Sequence, residues 1–265
     1  MIGAGATNTQ IVRDGRAVAG TRALPEEVPV ALVYNGTTQA VMMATPADLA
    51  DFGRGFTVTE GLAARDEIAP PEVVTHDTGV EVRMWLPEDR AAELMARRRA
   101  MTGPVGCGLC GVDSLEQAVR DLPTVGPGVR VAPAAVTRAM ADLRACQALH
   151  DRTRAVHGAG FYLPGRGVVA VREDVGRHNA LDKLIGAVGD CSAGMMVLTS
   201  RVSVEMVQKS AMAGASVITA VSAPTTLAVR TAEAAGLTLI ALARDETFEI
   251  FTHPERVKEE DDDVA

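Results

Sequence analysis

The second half of the chain alternates short apolar runs with stretches of helical periodicity, and this alternation restricts the fold more than any other feature of the sequence. The apolar runs are residues 168–171, 195–199, 217–221 and 237–243, and the helical stretches lie near 178–188, 202–213 and 225–235. Alternation at this spacing predicts an α/β layered fold with largely parallel strands. Ligands bind beyond the carboxyl ends of the strands in such a sheet. The polar turns that follow the runs are therefore predicted to line one site.

The first half of the chain has a different pattern. Residues 1–25 mix Gly, Ala, Thr and Arg without periodicity, which predicts a flexible leader. Residues 28–34 and 38–43 are rich in β-forming residues and are separated by Asn-Gly, which predicts a hairpin. The segment T-P-A-D at residues 45–48 then predicts the capped start of a helix. These elements indicate a smaller α+β region ahead of the α/β region.

Composition and charge exclude several classes of function. The 265 residues include 26 Lys and Arg against 34 Asp and Glu, which gives a formal net charge of −8, and 47% are hydrophobic. The hydrophobic fraction suffices for a sizeable core, whereas the acidic balance argues against binding nucleic acid through its phosphates. No apolar run approaches the roughly 20 residues that span a bilayer, and the first 20 residues do not have the pattern of a signal peptide. We expect a cytoplasmic protein that binds neither nucleic acid nor membrane.

The sharpest chemical feature is G-C-G-L-C-G at residues 106–111, which contains Cys107 and Cys110. Thiolate is the reactive form of cysteine, and nearby positive charge or a helix N-terminus lowers the pKa of the thiol. Arginines at 97–99 and a predicted helix near Ser114 could provide both. The loop at residues 101–112 is predicted to be mobile, because its glycines carry a large ordering entropy.

Two alternative interpretations of the cysteine pair remain open. A structural zinc site needs four ligands, but the chain has no second C-x-x-C and no standard ligand spacing, so no metal is predicted. A thioredoxin-like redox pair should open a helix directly after a strand. Here the pair follows a predicted helix and lies in a glycine-rich loop, so this interpretation is the weaker one.

A second candidate site is E-D-V-G-R-H-N-A-L-D-K at residues 173–183, which contains Asp174, Arg177 and His178. It follows a predicted strand, at the position where a parallel sheet presents ligand-binding groups. His178 and Asp182 are four residues apart, hence on one helical face, and are predicted to orient each other. The alternative is a first helical turn whose charges are simply solvated.

Two further residues, His157 and Ser222, are candidates for binding a ligand. His157 lies beside glycine, in a turn from which an imidazole could reach a ligand, although a lone histidine can equally be structural. Ser222 begins the polar turn after a predicted strand. Zinc deaminases have a glutamate two residues after their histidine and a later C-x-x-C. Here position 159 is Ala and the cysteine pair precedes the histidine, so deaminase chemistry is not predicted.

The chain resembles the FdhD family in five motifs that occur in one order. They are G-C-G-L-C-G, E-D-V-G-R-H-N-A-L-D-K, S-R-V-S-V-E-M-V-Q-K-S at residues 200–210, S-A-P-T-T-L-A-V at 222–229 and F-T-H-P-E-R at 251–256. The resemblance implies a sulfur carrier required for formate dehydrogenase activity. It also implies that a cysteine desulfurase supplies the sulfur as a persulfide, and that the acceptor is the molybdenum bis(molybdopterin guanine dinucleotide) cofactor. The implied fold is a cytidine-deaminase-like α/β/α sandwich with a smaller additional region.

The resemblance also assigns roles to particular residues. Cys107 would hold the persulfide, with Cys110 as its partner or substitute. The cofactor's guanine dinucleotide would contact one loop, which consists of Leu242, Ala243, Arg244, Asp245, Glu246 and Thr247. Family members often have an aromatic residue and more basic residues there, so the two acids are a departure that affects side-chain contacts. Because GDP is a fragment of the cofactor, it is expected to bind to this loop. The cofactor itself would be bound as a substrate.

These observations predict a division of the chain and a ranking of functions. The predicted parts are a leader at 1–25, an α+β part at 26–132 that carries the cysteine loop, an α/β cofactor-binding part at 133–257, and an acidic tail at 258–265. The first hypothesis is a sulfurtransferase that forms a homodimer. The second is a non-catalytic chaperone of the molybdenum cofactor, and the third is a thiol-disulfide oxidoreductase.

Overall fold

The computed structural model describes residues 3–101 and 122–258 of the chain. Within them the strands form sheets of two, four and six strands. The predicted mobile loop with Cys107 and Cys110, the predicted helix at 114–121 and nearly all of the acidic tail lie outside the described residues.

The N-terminal segment is an antiparallel hairpin of β1 (Ala4–Arg13) and β2 (Arg16–Pro25). The prediction of an irregular leader is wrong for these residues. Asp14 and Gly15 form the turn, both with positive φ, and Asp-Gly is a favoured pair for such a hairpin. Most side chains on both faces are exposed, so the strands need no alternation of apolar and polar residues. The sequence contains the Asp-Gly turn pair, but the strands could not be predicted because their apolar and polar residues do not alternate.

The second sheet and two helices form the smaller unit. The strands are β3 (Val28–Tyr34), β4 (Thr37–Ala44), β5 (Glu72–His76) and β6 (Gly79–Met84), in the order β4-β3-β6-β5. The helices are α1 (Leu49–Thr59) and α2 (Glu88–Met101). The hairpin predicted at Asn35 and Gly36 is confirmed. Phe52 of α1 is fully buried against this sheet's apolar face, which joins the helix to the sheet.

The third sheet has six strands. They are β7 (His157–Leu163), β8 (Gly167–Asp174), β9 (Met195–Leu198), β10 (Val217–Ala220), β11 (Thr238–Arg244) and β12 (Thr247–Ile250). Their order is β12-β11-β10-β9-β7-β8. Only β9, β10 and β11 pair in parallel, because β7 and β12 run against their neighbours. The prediction of largely parallel strands is thus corrected to a mixed sheet.

Helices cover both faces of the six-stranded sheet. On one face lie α5 (Arg177–Val188), α6 (Val204–Met212) and α7 (Thr226–Ala235), which bury Leu184, Met206 and Ala232 against the sheet. On the other face α3 (Pro133–Ala145) buries Val136 and Leu143. The sequence of residues 135–151 predicts a single helix, but the structure has two helices there. Glu173 accepts hydrogen bonds from the amides of Leu149 and His150 in the first turn of α4 (Ala148–Thr153), which fixes a new helix start.

Residues 122–133, whose three prolines and two glycines predict an internal hinge, are hydrogen-bonded to the six-stranded unit. The Val125 amide donates to the Ala235 carbonyl, and the Val131 amide donates to the Arg256 carbonyl. The Arg256 guanidinium in turn donates to the carbonyls of Gly126 and Pro127. This segment is therefore anchored along its length. The boundary between the parts at 26–132 and 133–257 stays a prediction.

Helices α1 and α5 join the two larger sheets, and their contact requires glycine on both sides. A Cβ atom on Gly55 would overlap the carbonyl oxygen of Asp182, and one on Gly186 would overlap the carbonyl oxygen of Asp51. The two backbones therefore approach as closely as side-chain-free residues permit. This contact fixes α5, and with it the polar residues at the start of α5.

Candidate functional site

Most of the predicted binding residues lie along one edge of the six-stranded sheet, which we call the carboxyl edge. Strands β8, β9, β10 and β11 end there and β7 begins there, because β7 is antiparallel to both of its neighbours. His157 at the start of β7 is directly opposite Asp174 at the end of β8. Ser222 follows β10, and residues 242–244 end β11. From β8 to β11 this edge spans four strand spacings, or about 19 Å.

Three helices begin at the carboxyl edge: α5, α6 and α7 follow β8, β9 and β10. A helix N-terminus carries free amide groups and a partial positive charge, which favour a bound anion. Thr225 uses its own hydroxyl to accept a hydrogen bond from the Ala228 amide at the start of α7. The starts of α5 and α6 have no side-chain cap hydrogen bond. This edge therefore suits a ligand with negatively charged groups.

His178 contacts a different residue from the one predicted. Its Nε2 lies 3.9 Å from Glu205 Oε2, in the first turn of α6. Burial, with Arg177 and Lys209 nearby, lowers the pKa of His178 to about 4. The imidazole is therefore neutral near pH 7. The buried atoms His178 Nε2, Arg177 Nε and Glu205 Oε2 have no hydrogen-bond partner. We call the group of Arg177, His178 and Glu205 the recess.

The predicted pairing of His178 with Asp182 is wrong, because Asp182 is held by another helix. Its carboxylate lies 2.9 Å from Lys209 Nζ of α6, and it accepts a hydrogen bond from the Thr59 hydroxyl at 2.7 Å. Lys209 also contacts Glu60 at 2.9 Å. Burial alone would lower the pKa of Lys209, but Asp182 and Glu60 outweigh it and raise that pKa. These residues bind α1, α5 and α6 together.

Asp174 has the environment of a structural residue. It is fully buried, and its Oδ2 accepts hydrogen bonds from Lys183 Nζ at 2.6 Å and the Thr45 amide at 3.0 Å. Its Oδ1 accepts from the Gly176 amide and from Asn179 Nδ2. Both oxygens are therefore occupied by the protein. The structure places Asp174 beneath the carboxyl edge, where it holds the start of α5 in position.

The segment before α1 also helps to hold the start of α5 in position, and it does not cap α1. The sequence predicts Thr45 as a cap, but α1 begins at Leu49 and no side chain caps it. The Thr45 hydroxyl instead accepts a hydrogen bond from the Val175 amide, and its carbonyl accepts one from Lys183 Nζ. We call the buried polar contacts among these elements the junction: Thr45, Thr59, Glu60, Asp174, Asn179, Asp182, Lys183 and Lys209.

His157 is partly buried and lies close enough to the recess to be influenced by it. Burial lowers the pKa of His157, and the charge of Arg177 adds to this effect, while Asp174 opposes it. The Gly158 amide beside it donates to the Thr199 hydroxyl at 2.9 Å, which fixes the start of β7 against the end of β9. His157 thus joins Arg177 and His178 on the part of the edge nearest β8.

The segment predicted to contact the guanine dinucleotide is the tight connection between β11 and β12. The pairing of these strands shifts between Ala241 and Arg244. Leu242 and Asp245 have φ values of 53° and 52°, a left-handed conformation that is uncommon for a leucine and concentrates at functional sites. The Arg244 guanidinium donates to the Val221 carbonyl beside Ser222. Residues 244–247 are exposed, so this turn is accessible to a ligand.

The two cysteines within the described residues lie outside the G-C-G-L-C-G motif. Cys191 is buried, and burial raises the pKa of its thiol to about 12. Cys146 is exposed at the end of α3. No group of three His, Cys, Asp or Glu side chains in residues 3–101 and 122–258 is arranged to hold a metal. In the same parts of the chain, no helix has both the length and the apolar character needed to cross a membrane.

Sequence reasoning missed two residues at the site, Glu205 and Lys209. Both belong to the S-R-V-S-V-E-M-V-Q-K-S motif, which was used for the resemblance but not for the site. The sequence pattern predicts no role at the site for either residue. In the structure Lys209 turns to Asp182 and Glu60, and Glu205 faces His178. A lysine among buried apolar residues was the signal that could have located the junction.

Comparison with known proteins gives a consistent result. The model of the FdhD/NarQ family matches residues 25–258. A sulfur carrier protein FdhD from Agrobacterium fabrum is 54% identical over 93% of each chain. One from Brucella abortus is 52% identical over 96% of this chain and 99% of its own length. One from Bordetella petrii is 45% identical over 93% of this chain.

A solved structure supports the fold. The crystal structure of a protein from Desulfotalea psychrophila, described as a candidate formate dehydrogenase accessory protein, superposes with a TM-score of 0.75. The match covers 96% of this chain and 99% of that chain at 24% identity. At this identity the superposition bears on the fold alone. It supports the mixed α/β architecture over nearly the whole chain.

Proposed function

The chain belongs to the FdhD/NarQ family, and on that premise we propose that it carries sulfur for the maturation of formate dehydrogenase. The sulfur comes from a cysteine desulfurase as a persulfide and passes to the molybdenum bis(molybdopterin guanine dinucleotide) cofactor, which is the substrate. The observation that carries this proposal is the match to sulfur carriers along nearly the whole chain, within which the cysteine pair lies.

Thiol chemistry explains how such a carrier is loaded. The Cys107 thiolate attacks the outer sulfur of the desulfurase persulfide, so that a new S–S bond forms while the donor's S–S bond breaks. The electron pair of the broken bond stays on the donor cysteine as a thiolate. Loading therefore needs no oxidant or reductant. Cys107 has a glycine on each side and Cys110 is followed by one, and glycine adds no side chain that would obstruct the approach of either partner.

Cys110 supports a route for delivery that balances electrons. Its thiolate attacks the inner sulfur of the Cys107 persulfide, which forms a Cys107–Cys110 disulfide and releases the outer sulfur as sulfide for the metal. A cellular dithiol then reduces the disulfide and restores both thiols. We place this cycle in the cytoplasm, where thiols are kept reduced. On the basis of the resemblance we also propose that the carrier is a homodimer, which light scattering would test.

The carboxyl edge supports binding of the cofactor's dinucleotide. The start of α5 offers amide groups to phosphate oxygens, and Arg244 adds positive charge beside the turn. The turn at residues 242–247 is exposed and follows the last parallel strand. Asp245 and Glu246 repel phosphate, so we assign the backbone of this turn to the guanine ring rather than to the phosphates.

Strand order supports the proposal that this fold is cytidine-deaminase-like. The six-stranded sheet has helices on both faces, with β7 inserted antiparallel between β8 and β9. Ala159 lies where a deaminase would need its glutamate after His157. We therefore propose that the chain uses a deaminase-like scaffold without deaminase chemistry.

Mass spectrometry after incubation with a desulfurase and cysteine tests the sulfur transfer directly. We expect wild type and Cys146→Ser to gain the mass of one sulfur atom, because Cys146 is an exposed cysteine outside the motif. Cys107→Ser should not gain it. Retention of the added sulfur by a Cys107→Ser, Cys110→Ser double variant would contradict the proposal.

A non-catalytic chaperone of the molybdenum cofactor is the second candidate function. It is favoured by one observation, that the residues described at the carboxyl edge all come from outside the cysteine loop. The double cysteine variant separates the two functions. A chaperone would still support formate dehydrogenase activity in cells without these cysteines, whereas a sulfur carrier would not.

A further inference from the structure

The recess is unusual among the charged groups of the described chain. Seven buried side-chain atoms in the described residues lack a hydrogen-bond partner, and the three that belong to ionisable residues all lie in the recess: Arg177 Nε, His178 Nε2 and Glu205 Oε2. A buried polar atom without a partner destabilises the folded state. Three such atoms at one point of the carboxyl edge indicate that the partner is a ligand.

The three side chains offer a defined set of hydrogen-bonding groups. Burial raises the pKa of Glu205, but hydrogen bonds in its own turn and the nearby charges outweigh burial and lower that pKa. Glu205 is therefore an anionic acceptor at neutral pH, and neutral His178 does not cancel its charge. Arg177 makes no ion pair in the part of the chain that is described, so its guanidinium is an available donor.

A simple phosphate does not fit this set, because Glu205 would repel it. The set fits a group that presents two adjacent donors to a carboxylate and an acceptor to an arginine. The 2-amino-4-oxopyrimidine ring has this pattern, with its ring N–H and amino group beside its carbonyl oxygen. Guanine and pterin both contain this ring.

We propose that Glu205 and Arg177 recognise the hydrogen-bonding edge of a 2-amino-4-oxopyrimidine ring at the recess. Glu205 accepts from the ring N–H and the 2-amino group, and Arg177 donates to the 4-oxo oxygen. This inference rests on the proposed function, because the molybdenum cofactor contains the ring both as guanine and as pterin.

Ligand analogues in which an oxygen replaces the 2-amino group test the proposal. They allow one variant of the protein to gain affinity rather than lose it. The purified full-length chain is titrated with GDP and with xanthosine diphosphate, and separately with pterin and its 2-oxo analogue lumazine. Wild type should prefer the 2-amino member of one pair by about tenfold. Glu205→Gln should reverse that preference, because the new side-chain amide donates to the 2-oxo group. Misfolding cannot produce such a gain.

Two variants make the measurement specific. Glu233→Gln is a matched control, because Glu233 lies 3.8 Å from His253 Nε2 at the far end of α7, a similar contact away from the carboxyl edge. It should leave both preferences unchanged. Arg177→Gln should weaken both members of the responding pair by a similar factor, since both carry the 4-oxo group.

The pair of ligands that responds identifies the ring. Reversal with GDP and xanthosine diphosphate assigns guanine to the recess and removes it from the turn at 242–247, whereas reversal with pterin and lumazine assigns pterin to the recess and leaves guanine to that turn. Wild-type binding without reversal in Glu205→Gln overturns the inference, as does an absence of binding to all four ligands. Sulfur loading, followed by mass spectrometry in the same preparations, tests the proposed function separately. Loading without reversal would overturn only the assignment of the recess.

Discussion

The junction and the recess lie only one helical turn apart on α5, but the buried polar groups of the junction have partners and those of the recess do not. At the junction, Asp174 has both oxygens occupied and Lys209 contacts two carboxylates. At the recess, Arg177 Nε, His178 Nε2 and Glu205 Oε2 are buried without partners. The same sequence motif supplies both, since residues 173–183 contain Asp174, Arg177, His178 and Lys183.

This difference distinguishes residues that stabilise the fold around the site from residues that are available to bind a ligand. A buried ion pair with every hydrogen bond made is self-contained, and loss of one partner leaves an uncompensated charge. Buried polar atoms without partners reduce stability unless something binds them. We therefore expect substitutions at the junction to act on folding, and substitutions at the recess to act on ligand binding.

The largest expected effect comes from the centre of the junction. Lys183→Met should lower the free energy of unfolding by about 3–5 kcal/mol, because it leaves the fully buried Asp174 carboxylate without its cation. Urea unfolding followed by circular dichroism measures the change. Lys258→Met is the control, since Lys258 is exposed and should change stability by less than about 0.5 kcal/mol. Equal effects of the two substitutions would show that the buried pair contributes nothing special.

A smaller loss is expected where α1 and α5 cross. In an ordinary helix interior, Gly→Ala stabilises by about 1 kcal/mol. Gly55→Ala should instead destabilise by about 3 kcal/mol, because the added methyl group overlaps the Asp182 carbonyl and the helices must separate. Gly126→Ala is the matched control, because a Cβ there meets nothing within 4 Å. Stabilisation by Gly55→Ala in thermal unfolding would contradict the close contact.

The smallest expected effect on stability lies at the recess and depends on pH. The unfolded chain protonates His178 near its ordinary pKa of 6.5, while the folded chain resists protonation until about pH 4. Stability should therefore fall as the pH drops through this window, by about 1 kcal/mol after allowance for solvent screening. His178→Asn should lose this part of the pH dependence and His253→Asn should retain it. Identical pH profiles for wild type and His178→Asn would rule out the buried neutral imidazole.

The sequence predicts the regular elements of the α/β region and misses those without a simple period. β8 to β11 and α5 to α7 follow from alternation alone, because each buries an apolar face or is buried on both. β7 contains two glycines, and the β1–β2 hairpin exposes both faces, so neither shows the pattern of a half-buried strand. Local periodicity in the sequence shows which face of an element is buried. These strands form because of their hydrogen-bonded neighbours, which leave no such pattern in the sequence.

The same limit applies to the site. Strand ends and polar turns correctly indicate one edge of the sheet, because parallel strands bring their carboxyl ends together. Helical spacing gave the wrong partner for His178, since a competing cation on α6 takes Asp182. The roles of Asp174 and Lys183 also depend on Thr45, which is more than 100 residues away in sequence. Contacts between distant segments decide which polar residues remain free for a ligand.

The most direct test of the account is whether the carboxyl edge binds the guanine dinucleotide part of the substrate. Calorimetric titration of GDP and ADP into wild type and Arg244→Ala measures this binding without the cysteine loop chemistry. We expect GDP to bind more tightly than ADP, and Arg244→Ala to weaken GDP while leaving the melting temperature unchanged, because Arg244 is exposed on the turn. Equal affinity for the two nucleotides, or binding of neither, would contradict the assignment of this edge.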